Sequence, residues 1–156
     1  MNELEILSKE VIQLFIKKNW RFCLVETSTG GFVADSLTNH DGSSRAFAGS
    51  LVLYSALAKK VILGVPMDFI QSEGQVSKKM IEKLLESSER FPVDVTVAVT
   101  GVAGNSIEGL PRGVTFIGIN ILGKTKIRKY TFSGTRREIK YQTAVEVMKL
   151  LIELLE

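Results

Sequence analysis

Leu4, Leu7, Val11, Leu14 and Phe15 recur at helical spacing and predict an amphipathic first helix that ends near Lys18. The pattern then shortens. Arg21 to Glu26 is an apolar run of strand length, followed by Thr27-Ser28-Thr29-Gly30-Gly31 and a short amphipathic segment reaching about Asn39. That order reads as strand, tight turn and helix. His40-Asp41-Gly42-Ser43-Ser44 has loop chemistry, and Phe47 to Ser55 is a second strand in which Gly49 marks a bulge.

Ala56 to Leu63 reads as a helix stopped by Gly64-Val65-Pro66, and Met67 to Ser72 as another short one. Ser77 is placed to cap a longer helix whose Ile81, Leu84, Leu85 and Ser88 share a face. Val93, Val95, Val97 and Val99 alternate in a third strand that runs into a small-residue turn, Thr100-Gly101-Val102-Ala103-Gly104. After a polar loop to Arg112, Val114 to Leu122 and Thr125 to Phe132 form a hairpin across Gly123-Lys124. A last helix spans about Arg136 to Leu155. Alternating strands and helices that finish in a hairpin predict a layered α/β/α domain with a mixed, partly parallel sheet and helices on both faces.

At 156 residues the chain is one domain, large enough to bury a core without disulfides or metal. The single cysteine, Cys23, has no partner within one subunit, so a reducing, cytoplasmic location is expected. The acidic start, Met1-Asn2-Glu3-Leu4-Glu5, lacks a signal-peptide pattern, and no apolar run approaches the ~20 residues that span a bilayer. Net charge is only +3, and the basic residues are scattered pairs without interleaved aromatics. That argues against a nucleic-acid partner.

Candidate chemistry gathers at the strand tips. Ligands of open α/β sheets bind outside the carboxyl ends of strands, where the hydroxyls of Thr27-Ser28-Thr29 and Thr100 fall. Three hydroxyls exceed what one helix cap needs. Free helix N–H groups beyond Gly30-Gly31 are expected to face the same place. Lys59 follows the second strand, so a parallel arrangement brings it to the edge where Thr27 lies; a desolvated lysine can then activate a hydroxyl. If the first strand extends as far as Ser28, alternation puts that residue on the face opposite Thr27. His40 precedes the second strand, at the other edge. Ser44 does too, about 30 Å from Lys59 along an unbroken strand. No cluster has metal-ligand spacing, and neither a metal nor a cofactor is expected.

These residues together resemble the CinA carboxy-terminal family, the nicotinamide-nucleotide amidases. The family pattern E-S-C-T-G-G is similar to Glu26-Thr27-Ser28-Thr29-Gly30-Gly31, G-S-S to Gly42-Ser43-Ser44, and Y-S-N-E-A-K to Tyr54-Ser55-Ala56-Leu57-Ala58-Lys59. L-G-V, G-x-V-S, T-G-I-A-G and F-S-G-D-R resemble Leu63-Gly64-Val65, Gly74-Gln75-Val76-Ser77, Thr100-Gly101-Val102-Ala103-Gly104 and Phe132-Ser133-Gly134-Thr135-Arg136. The match covers almost the whole chain. It implies metal-independent deamidation of nicotinamide mononucleotide, or a related nucleotide amide, by a hydroxyl–lysine dyad.

The family serine falls on Thr27, its neighbouring cysteine on Ser28 and its lysine on Lys59; these three and Tyr54 are the catalytic candidates. Thr29, Gly30, Gly31, Ser44, Thr100, Gly101, Gly104, Arg136 and Lys140 are the substrate-binding candidates. Among them, the Gly30-Gly31 or Thr100-Gly101 turn supplies oxyanion donors, and Arg136 suits a phosphate. The partners expected are a small nucleotide substrate and, in a homo-oligomer, further copies of the chain. Thr27, Ser28, Ala56-Leu57, the shorter loop from Asn105 to Arg112, Thr135 and Lys140 depart from the family pattern. They leave a second reading open: a nucleotide-binding or partner-binding domain without amidase activity.

Overall fold

The computed structural model describes residues 1–156. In chain order it holds α1 (Glu3–Lys18), β1 (Phe22–Glu26), α2 (Phe32–Thr38), a 3-10 turn (Ser43–Arg45), β2 (Phe47–Val52), α3 (Ala56–Leu63), α4 (Met67–Glu73) and α5 (Lys78–Ser87). β3 (Val95–Gly101), β4 (Val114–Ile121), β5 (Lys124–Thr131) and α6 (Arg136–Leu155) complete it.

The sheet runs β2-β1-β3-β4-β5. β1 is parallel to β2 and to β3, whereas β3–β4 and β4–β5 are antiparallel. Strand alternation sorts the core into two layers. Leu24, Val95, Val97 and Val99 face α1, α2 and α6, packing with Val11, Phe15, Leu37, Met148 and Leu151. Val25 and Ala98 face the other way, against Leu63, Ile70, Met80, Ile81 and Leu84 of α3, α4 and α5. The result is a three-layer α/β/α domain with a mixed sheet. No helix is long and apolar enough to cross a membrane.

Local chemistry explains the boundaries. Asn2 and Glu5 form a capping box on α1, and Asn19 ends that helix in the left-handed region. Ser55 and Ser77 cap α3 and α5. The bulge expected at Gly49 is present: Phe22 pairs with Phe47 but Cys23 with Gly49, so Ala48 is the extra residue. Lysines and Arg128 line the exposed edge strand β5, which blunts its tendency to pair with another edge.

Several boundaries differ from the sequence reading. The hairpin turns at Leu122-Gly123 rather than Gly123-Lys124, because Lys124 already pairs with Ile121 as the first residue of β5. β2 ends at Val52: Leu53 makes the last ladder bond, donating its N–H to the Glu26 carbonyl at 2.8 Å, and Ser55 already caps α3. β3 starts at Val95 rather than Val93, which lies beyond Pro92 in the entering turn. It also continues through Thr100 and Gly101, held by pairing to Phe116 and Thr115. Those two residues are strand, not turn.

Candidate functional site

The chain leaves β1 toward α2 on one face of the sheet and leaves β2 toward α3 on the other. The carboxyl ends of these two parallel neighbours therefore diverge and open a crevice. A cavity of about 350 Å³ lies there. Thr27 and Ser28 from the tip of β1, Tyr54 and Lys59 from the β2–α3 corner, and Gln75 from the α4–α5 connection line it. Thr100 and Gly101 of β3, Gly104 in the following loop and Arg136 of α6 close it. Eight of the residues singled out in the sequence thus meet in one cavity.

Lys59 is 2% exposed. Its Nζ donates to Gln75 Oε1 at 3.0 Å and to the Leu53 carbonyl at 3.4 Å, both neutral acceptors. Burial pulls its pKa down from the usual 10.5 to about 8, and the carboxylate of Glu108 partly opposes that fall. Thr27 is also buried, at 4% exposure, and its Oγ1 donates to the Val99 carbonyl at 2.8 Å. Ser28 is half-buried, lines the same cavity, and makes no hydrogen bond within the chain through its hydroxyl. The condition for alternation to separate Thr27 from Ser28 is not met, because β1 stops at Glu26 and both residues lie in the turn beyond it.

Arg136 Nη1 donates to the Tyr54 hydroxyl at 3.2 Å across the cavity mouth. A Cβ at Gly104 would overlap that guanidinium, so the glycine is what admits Arg136. Thr135 caps α6 with its side chain while Glu138 returns the bond to the Thr135 N–H. These bonds hold the Glu138 carboxyl below its usual range. Thr135 thereby does at a helix start what an aspartate there would do.

Five candidates lie outside the cavity. Thr29 is buried and donates to Glu26 Oε1 at 2.7 Å, so its hydroxyl faces the core. The helix N–H groups expected to be open for an anion are occupied: Val33 and Ala34 both donate to the Glu26 carboxylate at 3.0 Å. Gly30 uses its N–H on the Thr27 carbonyl at 3.1 Å; it and Gly31 carry the left-handed backbone of the turn, at φ 61° and 99°. Ser44 is exposed in the 3-10 turn that precedes β2, at the opposite edge of the sheet. Lys140 sits on α6 beside Gly30, facing a separate hollow with Phe32, Arg137 and Tyr141. His40 is likewise remote, with its Nε2 hydrogen-bonded to Ser8 Oγ at 2.7 Å.

Three important residues escaped the sequence reading. Glu26 reads as the polar end of a strand, yet it is fully buried and also accepts from Ser50 Oγ at 3.1 Å. Gln75 occupies the variable position of a G-x-V-S motif. Glu108 lies in a loop read only as polar. Their partners are distant in sequence, and no periodicity signals them.

A model of the CinA C-terminal domain matches residues 4–155. A competence-damage inducible protein of Bacillus subtilis is 34% identical over 158 residues, covering 100% of this chain but 36% of that protein. A CinA-like protein of Dictyoglomus thermophilum is 31% identical over 148 residues, covering 93% of this chain and 36% of its own length. The chain thus spans about a third of the curated relatives it matches. Among solved structures, the competence/damage inducible protein CihA of Agrobacterium tumefaciens superposes with a TM-score of 0.93 at 26% identity, covering 100% of this chain and 98% of that one. A CinA superfamily protein of Klebsiella pneumoniae also gives 0.93, at 23% identity, covering 99% of this chain and 98% of that one. With the family model spanning the whole domain, the chain belongs to the CinA C-terminal domain family.

Proposed function

We propose that this protein is an amidohydrolase that deamidates nicotinamide mononucleotide or a related nucleotide amide. The observation that carries the reading is Lys59: a buried amine with a pKa near 8, opening onto a cavity that Thr27 and Ser28 also line. Neutral Lys59 takes the proton of a hydroxyl from the Thr27–Ser28 pair as that oxygen attacks the amide carbon. The tetrahedral intermediate collapses with the lysine proton going to the leaving nitrogen. Ammonia departs and an ester remains on the protein. Water, deprotonated by Lys59, cleaves that ester to the carboxylic acid and restores the hydroxyl. Arg136 supplies a guanidinium for the phosphate of the nucleotide, since it presents paired donors at the cavity mouth.

Ammonia release from nicotinamide mononucleotide by the purified protein tests the reading. Turnover is expected in wild type and absent in Lys59→Met. A folded wild-type protein inert toward a panel of nucleotide amides would sink it.

One observation favours a second reading, a nucleotide-binding domain without turnover. The Thr27 hydroxyl, at the family nucleophile position, is spent on the Val99 carbonyl. In that case nicotinamide mononucleotide binds, measurably by calorimetry, and is released unchanged.

A further inference from the structure

Gln75 is the meeting point of hydrogen bonds from three separate segments. Its side chain accepts from Lys59 Nζ at 3.0 Å. Its carbonyl accepts from Thr100 Oγ1 at 2.6 Å, which ties it to the end of β3. Its N–H is held between both oxygens of Glu108, at 2.9 and 3.0 Å, with the Val76 N–H sharing Oε1 at 3.4 Å. Backbone fixed on both sides aims the Gln75 carboxamide into the cavity at the lysine.

The loop is built around this contact. Glu108 has φ 53°, a left-handed conformation uncommon for a residue with a side chain, and Gly109 beside it has φ 78°. Gly74 has φ 81°, and a Cβ there would lie 2.8 Å from Glu108 Oε1. The corner thus takes glycine on one side and a backbone outlier on the other to seat one carboxylate.

We propose that Gln75 and Glu108 are positioning residues that set the direction and the charge of the Lys59 amine. The inference rests on the reading of Lys59 as the base and adds what tunes it. A neutral carboxamide holds Nζ without favouring the ammonium as a carboxylate would. Glu108 supplies negative charge from one residue further away, bonded to the Gln75 and Val76 amides rather than to the amine itself. The other titratable groups at the cavity are Tyr54, from the β2–α3 corner, and Arg136, from α6, and these two bond each other. Thr27, Ser28 and Thr100 face it uncharged.

Lysine labelled with 13C at Cε allows Lys59 to be titrated by NMR in the intact protein, its signal assigned by its loss in Lys59→Met. Glu108→Gln keeps an acceptor for the Gln75 amide but removes the charge, and the Lys59 midpoint is expected to fall below that of wild type. Gln75→Glu puts a carboxylate directly on the amine, and the midpoint is expected to rise by about one pH unit or more. A residue with a merely structural role would not produce shifts of opposite sign. A midpoint unmoved in either variant, or moved the same way in both, overturns the proposal. Should Gln75→Glu fail to fold, the exposed Glu108→Gln decides alone. The titration needs no turnover, so a wild type that hydrolyses no amide counts against the proposed reaction while the NMR shifts still judge this one.

Discussion

Thr27 Oγ1 donates its hydrogen bond to the carbonyl of Val99 on the neighbouring strand, at 2.8 Å, and not to Lys59. On the proposed mechanism this hydroxyl must break a satisfied bond before it attacks, and the threonine methyl restricts χ1 more than a serine's hydrogens would. Such a bond is worth about 1 kcal/mol, a factor of about five in rate. Thr27→Ser is therefore expected to raise ammonia release about fivefold, measured at saturating nucleotide amide. An unchanged rate means the Val99 bond does not limit the reaction.

Ser28 offers the rival oxygen, half-buried on the same cavity and without a partner. Thr27→Val and Ser28→Ala separate the two. If Thr27 is the nucleophile, Thr27→Val abolishes turnover and Ser28→Ala keeps it; the reverse outcome moves the reaction one residue along. Thr27→Val also leaves the Val99 carbonyl without its side-chain donor, with an expected stability loss of about 1–3 kcal/mol by denaturant titration.

The neighbouring carboxylate holds the whole turn. Glu26 accepts from Thr29 Oγ1, Ser50 Oγ and the Val33 and Ala34 amides. Glu26→Gln keeps the shape but turns an NH2 toward groups that only donate or already do so. A loss of more than about 2 kcal/mol is expected in chemical denaturation. A stability within 0.5 kcal/mol of wild type (a difference on the order of an ordinary surface change) removes Glu26 from that role.

What the sequence revealed of this region follows from the range of its forces. The helices α3 and α6 were legible from Ala56 and Arg136 onward because caps and apolar periodicity act within a few residues. The meeting of Lys59 with the Thr27 turn was legible as well, since a parallel β1–β2 pair sends both carboxyl ends the same way. The side-chain partners were not. Glu26 bonding Ser50, Lys59 bonding Gln75 and Gln75 bonding Glu108 each join segments at least 16 residues apart, through loops whose path no periodicity encodes. The turn hydroxyls illustrate the same limit: Thr27, Ser28 and Thr29 are alike in the sequence, yet one faces a strand carbonyl, one the cavity and one the core.

Lys59 makes the rate and the stability depend on pH in a linked way. On the proposed mechanism Lys59 must be neutral to act as the base, so kcat/KM is expected to rise with pH through a midpoint near 8. Its folded pKa lies below the unfolded value of about 10.4, so between these two values the unfolded chain binds more protons. The Lys59 contribution to stability is thus least favourable below pH 8 and improves as pH climbs toward 10. Lys59→Met, which cannot ionise, is expected to flatten that part of the melting-temperature profile. A wild-type profile parallel to that of Lys59→Met across this window contradicts a depressed lysine.

Arg136 reaches the cavity mouth only because residue 104 has no side chain. Gly104→Ala forces the far end of a flexible arginine aside rather than the backbone, so the fold is expected to survive while the guanidinium loses its seat beside Tyr54. If that guanidinium holds the substrate phosphate, KM for nicotinamide mononucleotide rises about tenfold, roughly the loss of one charge-assisted hydrogen bond. The phosphate-free nucleoside amide is the control, and its kcat/KM is expected to stay near the wild-type value. Arg136→Ala should reproduce the same selective loss. Equal losses for both substrates place Arg136 in the support of Tyr54 instead of on the phosphate.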